Sequence, residues 1–226
     1  MPTTPKQDAT TVLLCRHGES QWNHAGRIQG QAPDAPGLSS RGREQARLLA
    51  ERMRSAGVDA LVTSDLLRAV ETAGFVSRAL GLHPVEDSRW REIDLGEWQG
   101  LTREEVAERW PETQEAVSRG EDPPRGGGET YAQLTARTLN AIADVAQRHA
   151  GQTVCVVTHG GNVRAAIVAL PDAPEGVDVR AGYIFNTSVT VLRVTADGAR
   201  LIAPPDISHL DGLASEINEE ADDEPR

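Results

Sequence analysis

The chain has 226 residues, 38% of them apolar, two cysteines, and a formal charge of −11. That acidity excludes broad binding to nucleic acid or an anionic membrane, both of which need a basic surface. No apolar run approaches the roughly 18 residues of a membrane span.

Residues 1–10 are polar and lack the apolar centre of a secretory signal, so the cytoplasm is the expected compartment. They read as a tail, followed by one domain over 11–205 and an acidic tail over 206–226. Residues 11–15 form an apolar run of strand type, and after a loop rich in Gly and Pro, Ala46, Leu49, Ala50 and Met53 recur at helical spacing up to Gly57. Residues 60–63 predict the next strand. A helix over about 66–80 follows, with Asp65 as its expected N-cap and Gly81 as its C-cap. Thr102 with Glu105 gives a capping box for a short helix ending near Pro111, residues 119–128 read as a loop, and Thr130 with Gln133 opens a longer helix to about His149. Residues 153–157 predict a third strong strand, then a helix carrying Val163, Ala166, Ile167 and Leu170 that Pro171 ends. Residues 189–194 and 200–203 around Asp197-Gly198 read as a closing hairpin. Strands alternating with helices predict an α/β fold, a three-layer sandwich with a mainly parallel central sheet and helices on both faces.

Two of the strands run directly into histidines: residues 11–15 into Arg16-His17-Gly18, and residues 153–157 into Thr158-His159-Gly160-Gly161. The carboxyl edge of a parallel sheet is where ligands bind, so the pair marks a candidate site. Arg16 beside the first histidine and Arg68 in the first turn of the helix after the second strand add planar donors suited to phosphate oxygens. A few arginines in a cleft reverse the local potential of an acidic chain. No Gly-rich loop ends in Gly-Lys-Ser or Gly-Lys-Thr, which removes a nucleotide P-loop. A cysteine phosphatase needs an arginine six residues past its nucleophile, where Cys15 is followed by Gln21 and Cys155 by Gly161. Both cysteines lie inside apolar strand runs, Cys15 pointing into the sheet, and read as buried thiols with no disulfide framework. The arginines argue against a metal centre, and no cofactor or metal is expected.

The run Arg16-His17-Gly18-Glu19-Ser20-Gln21-Trp22-Asn23 resembles the signature of the histidine phosphatase superfamily, which includes the cofactor-dependent phosphoglycerate mutases. The resemblance continues through Arg27-Ile28-Gln29-Gly30, Arg68-Ala69, Glu71-Thr72-Ala73, residues 91–98, Gly127-Gly128-Glu129 and His159-Gly160-Gly161. It implies a phosphorylated nucleophile at His17, a phosphate pocket completed by Arg16, Arg68 and His159, and Glu92 as proton donor. It further implies that Asn23 contacts the transferring group and that Gln29, Gly30 and Gly160 border the substrate.

The chain departs from the family pattern in a slightly longer stretch over 30–38, in Asp65 where proline is common, and in Asn162, which reads as an N-cap. Trp22, Trp90, Trp98 and Tyr131 flank the motifs, either lining the leaving-group side or packing in the core. The expected activity is hydrolysis of small phosphate monoesters, with a small phosphorylated metabolite as the partner. Mutase activity and phospho-ligand binding without turnover are the alternatives, and composition is silent on oligomeric state. Residues 101–125 hold four arginines against seven acidic residues, which disfavours the basic lid a mutase needs to retain a bisphosphate.

Overall fold

In the computed structural model, which describes residues 9–170, 184–211 and 213, the first strand sorts its side chains by parity. Along β1 (Thr10–Arg16), Val12 and Leu14 pack into one buried cluster while Leu13 and Cys15 pack into another on the opposite face. Strand β1 lies near the middle of a six-stranded sheet with β2 (Ala60–Thr63), β3 (Val85–Glu86), β4 (Thr153–Thr158), β5 (Val189–Thr195) and β6 (Gly198–Asp206). The spatial order is β3-β2-β4-β1-β5-β6. The pairings β1–β4, β2–β4 and β2–β3 are parallel, and the closing β5–β6 hairpin joins β1 antiparallel.

Two helices cover each face. Residues Leu49, Ala50 and Met53 of α2 (Ser40–Arg54) and Ala69, Ala73 and Val76 of α3 (Leu67–Leu80) meet Leu13 and Cys15. On the other face, Ala141, Ile142 and Val145 of α6 (Tyr131–Arg148) and Val163, Ala166 and Ile167 of α7 (Gly160–Ala169) meet Val12 and Leu14. This is the expected three-layer sandwich. A third cluster, with Ile93, Leu95, Trp98, Val106 and Leu134, seats the connecting segment over the sheet's carboxyl edge. None of the described helices is long and apolar enough to cross a membrane.

Local chemistry accounts for most boundaries. Thr102 and Thr130 cap α4 (Arg103–Arg109) and α6 with reciprocal bonds from Glu105 and Gln133, and Gly81 closes α3 at φ 70°. The short helix α4 ends near Pro111 as expected, and a further, unexpected helix, α5 (Pro111–Ser118), begins there, because proline suits a first helical position. Two expectations need correction. The N-cap of α3 is Leu66, without a side-chain bond, since the Asp65 carboxylate is drawn to the Arg91 guanidinium at 2.7 and 2.5 Å. Asn162 lies inside α7, whose N-cap is His159, and donates from Nδ2 to Thr138 Oγ1 at 3.0 Å.

The two-residue β3 carries too little pattern to be read in advance. Past residue 205 the chain continues in order: Asp206 ends β6, and Ser208–Leu210 make a 3-10 turn that buries Leu210. Pro171, residues 1–8 and residues 214–226 lie outside the described residues.

Candidate active site

Strand β1 delivers His17 to the sheet edge with its backbone already fixed. The His17 N–H donates to Thr158 O at 2.9 Å, extending the parallel ladder one residue, and the Gly18 N–H donates to Thr72 Oγ1 at 3.0 Å. Gly18 is required by close approach, since a Cβ there would meet the Gly42 carbonyl oxygen at 2.5 Å. The His17 ring, fully buried, has Nδ1 2.7 Å from Gly18 O and Nε2 3.1 Å from Arg68 Nε. A carbonyl only accepts and a guanidinium N–H only donates, so the proton sits on Nδ1 and the lone pair on Nε2. Burial, then the charges of Arg68 and Arg16, hold the ring well below its ordinary titration range. The result is a neutral imidazole with a defined nucleophilic nitrogen.

His159 follows directly on β4, the strand beside β1, its ring centroid 5.0 Å from that of His17. It too is buried and held neutral, first by desolvation and then by Arg68. Its Nε2 lies 2.9 Å from Ser64 Oγ, and Nδ1 has no hydrogen-bond partner among the described residues. Arg68 also donates from Nη2 to Gly30 O at 2.9 Å, and Arg16 from Nη1 to Ile184 O at 2.6 Å. A Cβ on Gly160 would lie 3.6 Å from Arg16 Nε, so the guanidinium packs against the first turn of α7. Ser or Thr side chains cap α1 (Gln21–His24), α2, α4 and α6, whereas α3 and α7, which carry or border this cluster, have no side-chain cap. Two guanidiniums and the N-terminal end of α7 meet at the histidines, where an anion is favoured.

Glu92 is buried between two 3-10 turns, Ser88–Trp90 and Gly96–Trp98. Its Oε1 accepts from the Ile93 N–H at 2.8 Å and Oε2 from the Gly161 N–H at 3.1 Å, which puts the carboxyl two residues past His159. The residues expected to border substrate are more varied. Gly30, at φ 50°, touches Arg68 through its carbonyl. Gln29 is buried, with Oε1 accepting from Ser20 Oγ at 2.8 Å and Nε2 without a partner among the described residues. Asn23 turns its Oδ1 to the Ser20 N–H at 3.1 Å, completing the cap of α1. Trp90 and Trp98 are core side chains, Cys15 lies in the sheet with Sγ 3.8 Å from Cys155 Sγ, and both thiols are free.

Several neighbours escaped sequence reading. Ser64 partners His159, Thr72 links Gly18 to Arg68 O, and Asn186 Nδ2 donates to His17 O at 2.9 Å. The Thr187 N–H lies 3.1 Å from Arg16 O and 3.2 Å from His17 O. Thr187 is the one described non-glycine with positive φ, at 59°, a strained backbone held where it braces the nucleophile. Each partner is 54 or more residues from its mate except Thr72 and Arg68, so no local pattern announces it.

The family model of the histidine phosphatase superfamily (branch 1) matches residues 12–206. Over 212 residues the chain is 35% identical to a metal-independent phosphoserine phosphatase of Arabidopsis thaliana, covering 92% of this chain and 86% of that protein. It is 36% identical to a probable phosphoglycerate mutase GpmB of Enterobacter sp. (strain 638), covering 90% and 96%. A solved mycobacterial glucosyl-3-phosphoglycerate phosphatase superposes with a TM-score of 0.73 at 30% identity, over 87% of this chain and 99% of that one.

Proposed function

The chain belongs to the histidine phosphatase superfamily, and from that premise we infer that it is a phosphoric monoester hydrolase working through a covalent phosphohistidine on His17. The observation that carries the reading is the fixed tautomer of His17, with Nδ1–H bound to Gly18 O and the Nε2 lone pair facing the Arg68 guanidinium. A monoester entering the pocket takes over the Arg68 contact, and Arg16, Arg68 and the uncapped turn of α7 hold its phosphoryl oxygens. A Ser64 hydroxyl donating to His159 Nε2 would leave the His159 proton on Nδ1, free to reach the same oxygens.

Nε2 then forms a bond to phosphorus as the ester P–O bond breaks, and Glu92 gives its proton to the departing alkoxide. In the second half, the Glu92 carboxylate takes a proton from water, the water oxygen bonds to phosphorus, and the P–N bond breaks to return the lone pair to Nε2. Positive charge comes from arginine throughout, so chelators should leave turnover intact.

Hydrolysis is favoured over mutase chemistry by the segment above the pocket. Arg109, Arg119 and Arg125 each pair with a carboxylate of the same segment, Glu105, Glu121 and Asp122, leaving an acidic excess that repels a bisphosphate. The substrates named for the relatives, phosphoserine and glucosyl-3-phosphoglycerate, point to small monoesters with a carboxylate in the leaving group. The test supplies 3-phosphoglycerate with catalytic bisphosphoglycerate, beside a monoester panel, and compares isomerisation with phosphate release at equal enzyme. Release should dominate. Isomerisation faster by about a hundredfold, roughly 2.7 kcal/mol of preference for acceptor over water, would make it a mutase.

A further inference from the structure

The turn that carries Glu92 belongs to neither helix nor strand, so its backbone polar groups need partners from elsewhere. Several come from one ion pair. Arg137, in the middle of α6, donates from Nη1 to Arg89 O at 2.8 Å and to Arg91 O at 2.7 Å, and from Nη2 to Glu92 O at 3.2 Å. The same guanidinium grips Glu129 in a fork, Nε to Oε1 at 3.0 Å and Nη2 to Oε2 at 2.7 Å. Glu129 Oε2 in turn accepts from the Asp94 N–H at 2.9 Å, and the Glu129 N–H donates to Asp94 O at 2.8 Å. Residues 89–94 are thereby held from both ends, with Glu92 between. Gln31 Nε2 adds a second donor to Glu92 O at 2.9 Å.

The glycine before Glu129 makes the grip possible. A Cβ on Gly128 would run into Asp94 O, so only glycine lets the 125–129 segment lie against the turn. The Gly127-Gly128-Glu129 run, which the phosphate pocket leaves without a task, has one here.

We propose that Arg137 is a positioning residue for proton transfer, clamping the Glu92 turn through three backbone carbonyls with Glu129 as its anchor. The inference rests on Glu92 being the proton donor. Lysine keeps the charge but has one point of contact where the planar fork has five N–H groups, so it cannot serve three carbonyls and a carboxylate together. Losing the fork frees the turn, and the carboxyl moves off the line to the leaving oxygen. A phenolate leaving group barely needs that proton, whereas an alkoxide does.

The experiment measures kcat/KM, which reports the phosphoryl-transfer half, for p-nitrophenyl phosphate and for an alkyl monoester that the enzyme hydrolyses. Wild type, Glu92→Gln, Arg137→Lys and Glu129→Gln are compared. Glu92→Gln should lower the alkyl-to-aryl ratio most, and Arg137→Lys and Glu129→Gln should each lower it by about tenfold. The aryl substrate should label His17 as fast in both clamp variants as in wild type. Glu129→Gln keeps the side-chain volume and carries the comparison alone if Arg137→Lys does not fold. A lowered ratio for Glu92→Gln beside an unchanged ratio, or an equal loss on both substrates, for the clamp variants would overturn the clamp alone. An unchanged ratio for Glu92→Gln would remove Glu92 from the acid role and the clamp with it.

Discussion

A methyl group at position 161 would occupy the space of the Glu92 carboxylate, so this glycine couples the second histidine loop to the acid. The contact is with the far end of a side chain, which can swing away, and alanine in a helix is favoured over glycine by up to about 1 kcal/mol. Gly161→Ala should therefore fold, losing no more than about 2 kcal/mol for the bonds that Glu92 gives up. Its kcat/KM for alkyl monoesters should fall by about tenfold or more, as for a mispositioned general acid. Steady-state kinetics and urea unfolding on the same preparation check both halves; unchanged alkyl turnover would mean that the carboxyl beside Gly161 takes no part in proton transfer. Thr187 works at the same scale from the other side, its strained φ of 59° tolerated because its N–H meets the Arg16 and His17 carbonyls.

The elements that were legible are those whose cause is local. Strands β1 and β4 showed as apolar runs ending in histidine, and α4 and α6 showed through Ser/Thr-type capping boxes closed within four residues. The strand-end placement of His17, Arg16 and His159 followed from those runs, and Arg68 from its place in the first turn of α3. Misreadings arose where a distant group competed with a local one. Asp65 had the position and chemistry of an N-cap, but Arg91, 26 residues on, offers a charged fork where α3 offers a backbone amide. Pro111 rightly marked the end of α4, while its second role, starting α5, went unread. Glu92 could be named only through the family resemblance, because nothing within its own turn distinguishes it; Arg137 reaches it from 45 residues away. At this scale alone is it visible that α7 starts at His159 and gives the Gly161 N–H of its first turn to Glu92.

Burying two imidazoles among arginines at the sheet edge sets a stability cost for the whole molecule. Desolvation first, then Arg68, keeps His17 and His159 well below 6.5 in the folded chain, while both titrate near 6.5 when unfolded. As pH falls through 6.5 the unfolded chain binds protons that the folded chain refuses, so stability is lost on acidification, approaching about 1.4 kcal/mol per pH unit for each buried ring. The depressed carboxylates Asp65, Asp87, Asp122 and Asp206 act lower, below about 4, and leave the window from 6 to 5 to these two histidines and to His209, which burial and then Arg52 lower to about 4. Denaturant unfolding across that window should show a shallower loss for His17→Gln than for wild type by about one such increment, and parallel slopes would mean that His17 is not held neutral by the fold. The same neutrality makes Nε2 a nucleophile, and a covalent phosphohistidine is its direct product. Rapid quenching of the enzyme with a phosphorus-labelled monoester should give base-stable, acid-labile label mapping to His17, absent from His17→Ala, which should be inactive; full turnover by His17→Ala, or label on another residue, would contradict it.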